Sequence, residues 1–94
     1  MTGADGPAAG ESRDVVDARG LRCPVPVIRL AARARDLPPG TEVTVLATDP
    51  AARHDVPAWA RMRGHVMAAE ELRGRDDADG AGGPAVWALT VRLR

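Results

Sequence analysis

One residue type in this chain that can do covalent chemistry occurs once: Cys23, in the stretch "DARGLRCPVPVIRL". Arg22 precedes it, and Pro24 and Pro26 follow with Val25 between them. Proline is favoured at the first position of a helix, where its fixed φ suits helix entry and its missing N–H had no partner. The spacing therefore places Cys23 at the N-cap and Pro24 at N1. The first amides of a helix lack intrahelical acceptors, and the helix dipole puts partial positive charge at that end. A cysteine so placed is expected to be a low-pKa thiolate, the form that acts as nucleophile. Pro26 also lacks an N–H, which leaves the amides of Val25 and Val27 to face the sulfur, with Arg22 adding positive charge beside it. Catalytic work is thus assigned to Cys23, and thiolate stabilisation to Arg22, Pro24, Val25, Pro26 and Val27. The alternative is a small buried apolar residue that only packs.

A helix must follow to hold that thiol. Val27, Leu30, Ala31 and Ala34 recur at i, i+3, i+4 and i+7, with Arg29, Arg33 and Asp36 opposite, which predicts an amphipathic helix of about 13 residues ended by "LPPG". Before it, Val15 to Ala18 reads as a short strand closed by Gly20. After it, "TEVTVLAT" alternates with Val43, Val45 and Ala47 on one side, the period of a strand. Asp49-Pro50 then reads as an N-cap and N1 pair opening a second helix with Val56, Trp59 and Ala60 as its apolar stripe. Pro57 inside that helix predicts a kink, or a restart capped by Asp55. His65 to Leu72 is a weaker third strand. "AVWALTVRLR" is a fourth, with Trp87, Leu89, Val91 and Leu93 on one face. The order β-α-β-α-β-β predicts an α/β (α+β) two-layer sandwich, with two helices packed on one face of a four-stranded mixed sheet. The first crossover is expected to be right-handed and parallel, and the last two strands an antiparallel hairpin.

The chain of 94 residues is one domain's worth. Residues 1–13, rich in Gly, Ala, Pro and Asp, read as a disordered tail and 74–84 as a flexible loop, leaving residues 14–94 as the single folded unit. The opening has neither a basic n-region nor an apolar h-region, and no run approaches a membrane span. A lone cysteine suits a reducing compartment, so a cytoplasmic protein is expected. Net charge is zero, giving no general drive toward nucleic acid. Every basic residue is arginine, which excludes a Schiff-base lysine. Cys23, His54 and His65 fit no metal-ligand spacing, so no metal or other cofactor is expected. His54 could serve as a base for the thiol if the second helix approached the first. Arg29, Arg33 and Arg35 form a basic strip on helix one that could dock an acidic partner. Asp49, His54, Asp55 and Trp59 join them as candidate docking residues.

Together "DARGLRCPVPVIRL", "LPPGTEVTVLATDP" and "HDVPAWARMRGH" resemble the TusA (SirA-like) family of small sulfur-carrier proteins, in register from about Val15 to Leu72. The resemblance implies the same two-layer sandwich and a sulfurtransferase activity. The cysteine accepts a persulfide sulfur from a cysteine desulfurase or rhodanese and passes it to a downstream acceptor protein, in tRNA thiolation, sulfur metabolism or cofactor biosynthesis. Cys23 matches the carrier cysteine, Pro24 and Pro26 the motif prolines, and Asp49, Pro50, Asp55 and Pro57 the start of the second helix. Val25 stands where members serving tRNA thiolation commonly have Glu, and the Gly-rich loop after Arg73 is longer than usual. The expected protein is a monomer with no direct nucleic-acid or membrane contact. Two other classes stay open: a binding or regulatory module of the same fold, and a thiol-based redox sensor or peroxidase using the same cysteine.

Overall fold

The computed structural model describes residues 13–75 and 83–94. Its elements run β1 (Arg13–Ala18), α1 (Val25–Ala34), β2 (Glu42–Ala47), α2 (Ala52–Met62), β3 (Val66–Arg75) and β4 (Ala85–Arg92). The four strands form one mixed sheet in the order β1-β2-β4-β3. The β1-α1-β2 unit pairs its strands in parallel, with Val16 opposite Val45 and Ala18 opposite Ala47. β4 then enters antiparallel to β2, with Val45 opposite Leu89, and antiparallel to β3 on its other side. The expected α+β sandwich and the closing hairpin are therefore what the chain forms.

The alternation read from the sequence decides which face is covered. Val43, Val45, Ala47, Leu89, Val91 and Leu93 are buried, and they meet Leu30 of α1 and Ala52, Val56 and Ala60 of α2. Leu30 is fully buried, at 0% exposure, so its side chain is removed from water entirely, worth about 2 kcal/mol. Trp87 packs at the edge of this cluster, with the Arg53 guanidinium 4.0 Å from its ring centroid. Arg53 also pairs with Glu70 at 2.8 Å, tying α2 to β3. On the opposite face, Thr44 and Thr90 share a hydroxyl hydrogen bond of 2.7 Å across the β2–β4 pair, and Arg92 reaches Glu42 at 3.1 Å.

Several boundaries differ from the sequence reading. α1 begins at Val25 and spans 10 residues, because Pro24 is the N-cap and the chain before it is still turning. α2 begins at Ala52 with Ala51 as N-cap, although Asp49 still caps by accepting a hydrogen bond from Ala51 N–H at 3.0 Å. Pro57 neither breaks nor restarts that helix, which runs unbroken to Met62. Buried Val56 and Ala60 flank it, and that packing offsets the hydrogen bond which proline cannot donate. Gly64 follows the C-cap Arg63 of α2, and its φ of +77° favours glycine. β3 continues past the expected loop start to Arg75. The rest of that loop (76–82) and the N-terminal tail (1–12) lie outside the described residues.

Candidate functional site

β1 and β2 are parallel, so both helices begin at the same end of the sheet, and the residues that enter them meet there. After β1 the chain turns through Gly20, which has φ of +80° and donates its N–H to Thr48 Oγ1 at 2.8 Å. That bond ties the first turn to the end of β2. Cys23 follows in the turn preceding α1, half-buried and packed against the core, with its bond to Pro24 in the cis form. Its N–H donates to Asp49 Oδ2 at 2.9 Å. The other oxygen of the same carboxylate accepts the Ala51 N–H, so Asp49 joins the cysteine turn to the start of α2. Those two backbone bonds, Cys23 first, hold Asp49 below the usual carboxylate value, and the charge of Arg22 adds to the effect.

The sulfur's surroundings reverse the expected acidity. Burial pushes the Cys23 thiol up to about 11, helped by hydrogen bonding to the Asp55 carboxylate and by the negative charges of Asp55 and Asp49. Three local reasons explain why the low-pKa thiolate does not form. Cys23 sits one residue before the N-cap, which Pro24 occupies. The Val25 N–H, expected to face the sulfur, donates instead to the Arg22 carbonyl at 2.9 Å. Exposed Arg22 acts on Asp49, and no arginine figures among the groups that act on the thiol. Pro26 keeps a packing role, buried at the start of α1, and Val27 packs against the core.

The candidate docking residues fall into separate places. Asp49 and Asp55 are at the thiol. His54 is exposed on α2, and it is Asp55 beside it that α2 brings to the sulfur. The basic strip on α1 divides. Arg33 is taken by Asp14 of β1 at 2.6 Å, while Arg29 stays exposed. Arg35 lies at the far end of α1, where it lines a cavity of about 170 Å³ with Ala31, Ala34, Trp59, Arg63 and His65. Arg35 and Arg63 are the C-caps of α1 and α2, where a cation complements the helix dipole. Trp59 packs against the core, its Nε1 is buried without a hydrogen-bond partner, and its ring lies 5.1 Å from that of His65. His65 Nδ1 in turn accepts the Arg94 N–H at 3.0 Å.

Sequence reasoning missed the exposed apolar residues on the first turns of α1. Val25 is 38% exposed and Ile28 59%, on the first turns of α1. The signal was available: both fall outside the i, i+3, i+4 stripe that faces the core. Among the described residues, no helix is long and apolar enough to cross a membrane.

Residues 14–77 match the sequence model of the family described as "Sulfurtransferase TusA". The chain is similar to the "Sulfur carrier protein TusA" of Pseudomonas savastanoi pv. phaseolicola, 46% identical over 57 residues, which is 61% of this chain and 68% of that protein. It is 42% identical over 57 residues to the protein of the same name from Pseudomonas aeruginosa, covering 61% of this chain and 72% of that one.

Proposed function

Since this chain belongs to the TusA family of sulfurtransferases, we propose that it is a sulfur carrier that takes up sulfur as a persulfide on Cys23. The observation that supports this reading most is the placement of the chain's one cysteine, half-buried at the entrance to α1, whose first turns expose apolar Val25 and Ile28. A thiol in that position can be reached by another protein, and a relay needs no second thiol within the carrier.

The chemistry is an exchange at sulfur. Cys23 Sγ attacks the outer sulfur of a donor persulfide, R–S–SH, and a new Sγ–S bond forms as the donor's S–S bond breaks. The electron pair of the broken bond goes to the donor's inner sulfur, which leaves as a thiol with the proton that Cys23 gives up. Cys23–SH and R–S–SH thus become Cys23–S–SH and R–SH, with no net oxidation. The terminal sulfur then passes to an acceptor by the same step. A cysteine desulfurase or a rhodanese is the donor class, and the acceptor is a downstream protein in tRNA thiolation, sulfur metabolism or cofactor biosynthesis. The carrier acts in the cytoplasm as a monomer.

The family match supports the carrier reading over a redox sensor, which no feature of this site favours. The test is the intact mass of the reduced protein after incubation with a cysteine desulfurase and cysteine, and separately with a rhodanese and thiosulfate. A gain of one sulfur atom, reversed by reductant and absent in Cys23→Ser, is the expected result. No gain from either donor sinks the carrier reading.

A further inference from the structure

We propose that the cavity between the C-terminal ends of α1 and α2 is a binding site for a tetrahedral oxyanion of the phosphate or sulfate class. Its donors are Arg35 from the end of α1, and Trp59, Arg63 and His65 from the end of α2 and the turn after it. The site stands apart from Cys23 and does not depend on the carrier reading. Helix α1 has 10 residues, so at about 1.5 Å rise per residue its two ends lie about 15 Å apart.

The side chains on the cavity wall offer donors and no competing carboxylate. Arg35 and Arg63 are exposed C-cap residues, and among the described residues neither forms an ion pair. No acidic side chain among the described residues lines the cavity. The Trp59 Nε1–H is buried and, among the described residues, has no acceptor, a costly state for a polar group. The Trp59 ring lies 5.1 Å from that of His65. His65 Nδ1 accepts the Arg94 N–H at 3.0 Å, so the neutral ring carries its proton on Nε2, a further donor. A helix C-terminus ordinarily presents open carbonyl oxygens, which repel an anion. Here those of the lining residues in the last turns are occupied. Ala31 accepts the Arg35 N–H at 3.3 Å, Ala34 the Leu37 N–H at 3.2 Å and Trp59 the Arg63 N–H at 3.0 Å. Arg61, in the last turn of α2, adds positive charge to this end. Each guanidinium is a planar fork of N–H donors that suits an oxyanion. An indole and an imidazole N–H beside two such forks call for more acceptor positions than a carboxylate's two oxygens offer, which favours a tetrahedral ion. At about 30 Å³ per water-sized group, a cavity of about 170 Å³ has room for the five heavy atoms of that ion.

The indole N–H signals of Trp59 and Trp87 in nitrogen-15 NMR spectra of the full chain read the site directly. Trp87→Phe assigns them or, should it not fold, the contact between the Trp59 and His65 rings does. Inorganic phosphate, sulfate, glycerol 3-phosphate and acetate are titrated at neutral pH, with ionic strength held constant by chloride. The expected result is a saturable shift of the Trp59 signal with phosphate and sulfate, while Trp87 stays in place and acetate binds at least about tenfold more weakly. Arg35→Gln and Arg63→Gln should each weaken phosphate binding at least about tenfold, as the loss of a charged hydrogen bond implies. Arg29→Gln, exposed on α1 away from the cavity, should leave it unchanged. Glycerol 3-phosphate binding as tightly as phosphate assigns the site to the phosphoryl group of a larger ligand, and a preference for the free ions assigns it to the inorganic anion; both support the site. The proposal is overturned by the absence of a saturable shift, by an equal response to acetate, or by folded Arg35→Gln and Arg63→Gln that bind phosphate like the parent. An equal loss in Arg29→Gln also overturns it, since bulk charge would then account for the binding. Should either cavity variant fail to fold, as judged by circular dichroism, the probe series on the unmodified protein decides.

Discussion

A carboxylate beside a thiol has opposite consequences for its two chemical states. It stabilises the protonated form by accepting its hydrogen bond and destabilises the anion by repulsion, and at Cys23 both effects act in the same direction. This has a measurable cost at high pH. The thiol proton is held to about 11 in the folded chain against an ordinary value of 9.0, so folding strengthens proton binding. Its contribution to stability is complete below pH 9.0 and is lost as pH rises toward about 11. Thermal melts between these pH values should show a steeper decline for the unmodified protein than for Cys23→Ser, and parallel curves would contradict the raised thiol. Asp49 is the second residue with a defined cost. Asp49→Ala leaves the Cys23 and Ala51 N–H groups without their acceptor, and a loss of about 1–2 kcal/mol in denaturant unfolding is expected. The motif around Cys23 was legible because its prolines and arginine are local signals. The acidity was not, since it depends on which side chain of α2 faces the sulfur, and that is set by tertiary packing between two segments separated in sequence.

At the scale of elements, the two helices divide their work by end. Their N-terminal ends hold the thiol and the carboxylates, while their C-terminal ends carry Arg35 and Arg63 beside Trp59. The core between them relies on few large side chains, since the chain has no Phe or Tyr. Leu30 is the large side chain of α1 buried completely in that core. Leu30→Ala should cost about 2–5 kcal/mol in unfolding experiments, and for a domain this small that is most of its stability. By contrast Val25→Glu, at an exposed site in the first turn of α1, should stay within about 0.5 kcal/mol of the parent. Its effect belongs to the chemistry: a third carboxylate near the sulfur should slow alkylation of Cys23 further at neutral pH. Helix α1, β2 and β4 were readable because their apolar residues keep one period. Pro57 misled the reading of α2 because a proline's local preference says nothing about Val56 and Ala60, whose burial holds the helix together across it. The starts of α1 and α2 were misplaced by one and two residues, where turn geometry rather than periodicity decides.

Across the whole molecule, protection should follow position in the sheet. β2 and β4 are interior strands, whereas β1 and β3 are edges. β3 is exposed along nearly its whole length and its pairing with β4 loses register between Leu72 and Arg75. Amide hydrogen exchange should therefore be slowest in Val43–Ala47 and Leu89–Val91, and fastest within the sheet from Leu72 to Arg75. Uniform protection along β3 would show that its far end is held by something more than its single neighbour. The sheet's composition was visible in the alternating runs, but its order was not, because the same four strands could be arranged with β3 or β4 beside β2. Partner choice there is settled by matching faces: Val43, Val45 and Ala47 lie opposite Val91, Leu89 and Trp87.

The last of the four described strands lies inside the sheet, and this bears on how the fold is completed. While a ribosome is still extending the chain, β2 lacks its neighbour on one side and β3 has no strand to pair with at all. The floor beneath α2 is not complete until the segment from Ala85 has emerged. A chain cut before Ala85 would keep Cys23 in its sequence and yet lack the strand that joins β2 to β3.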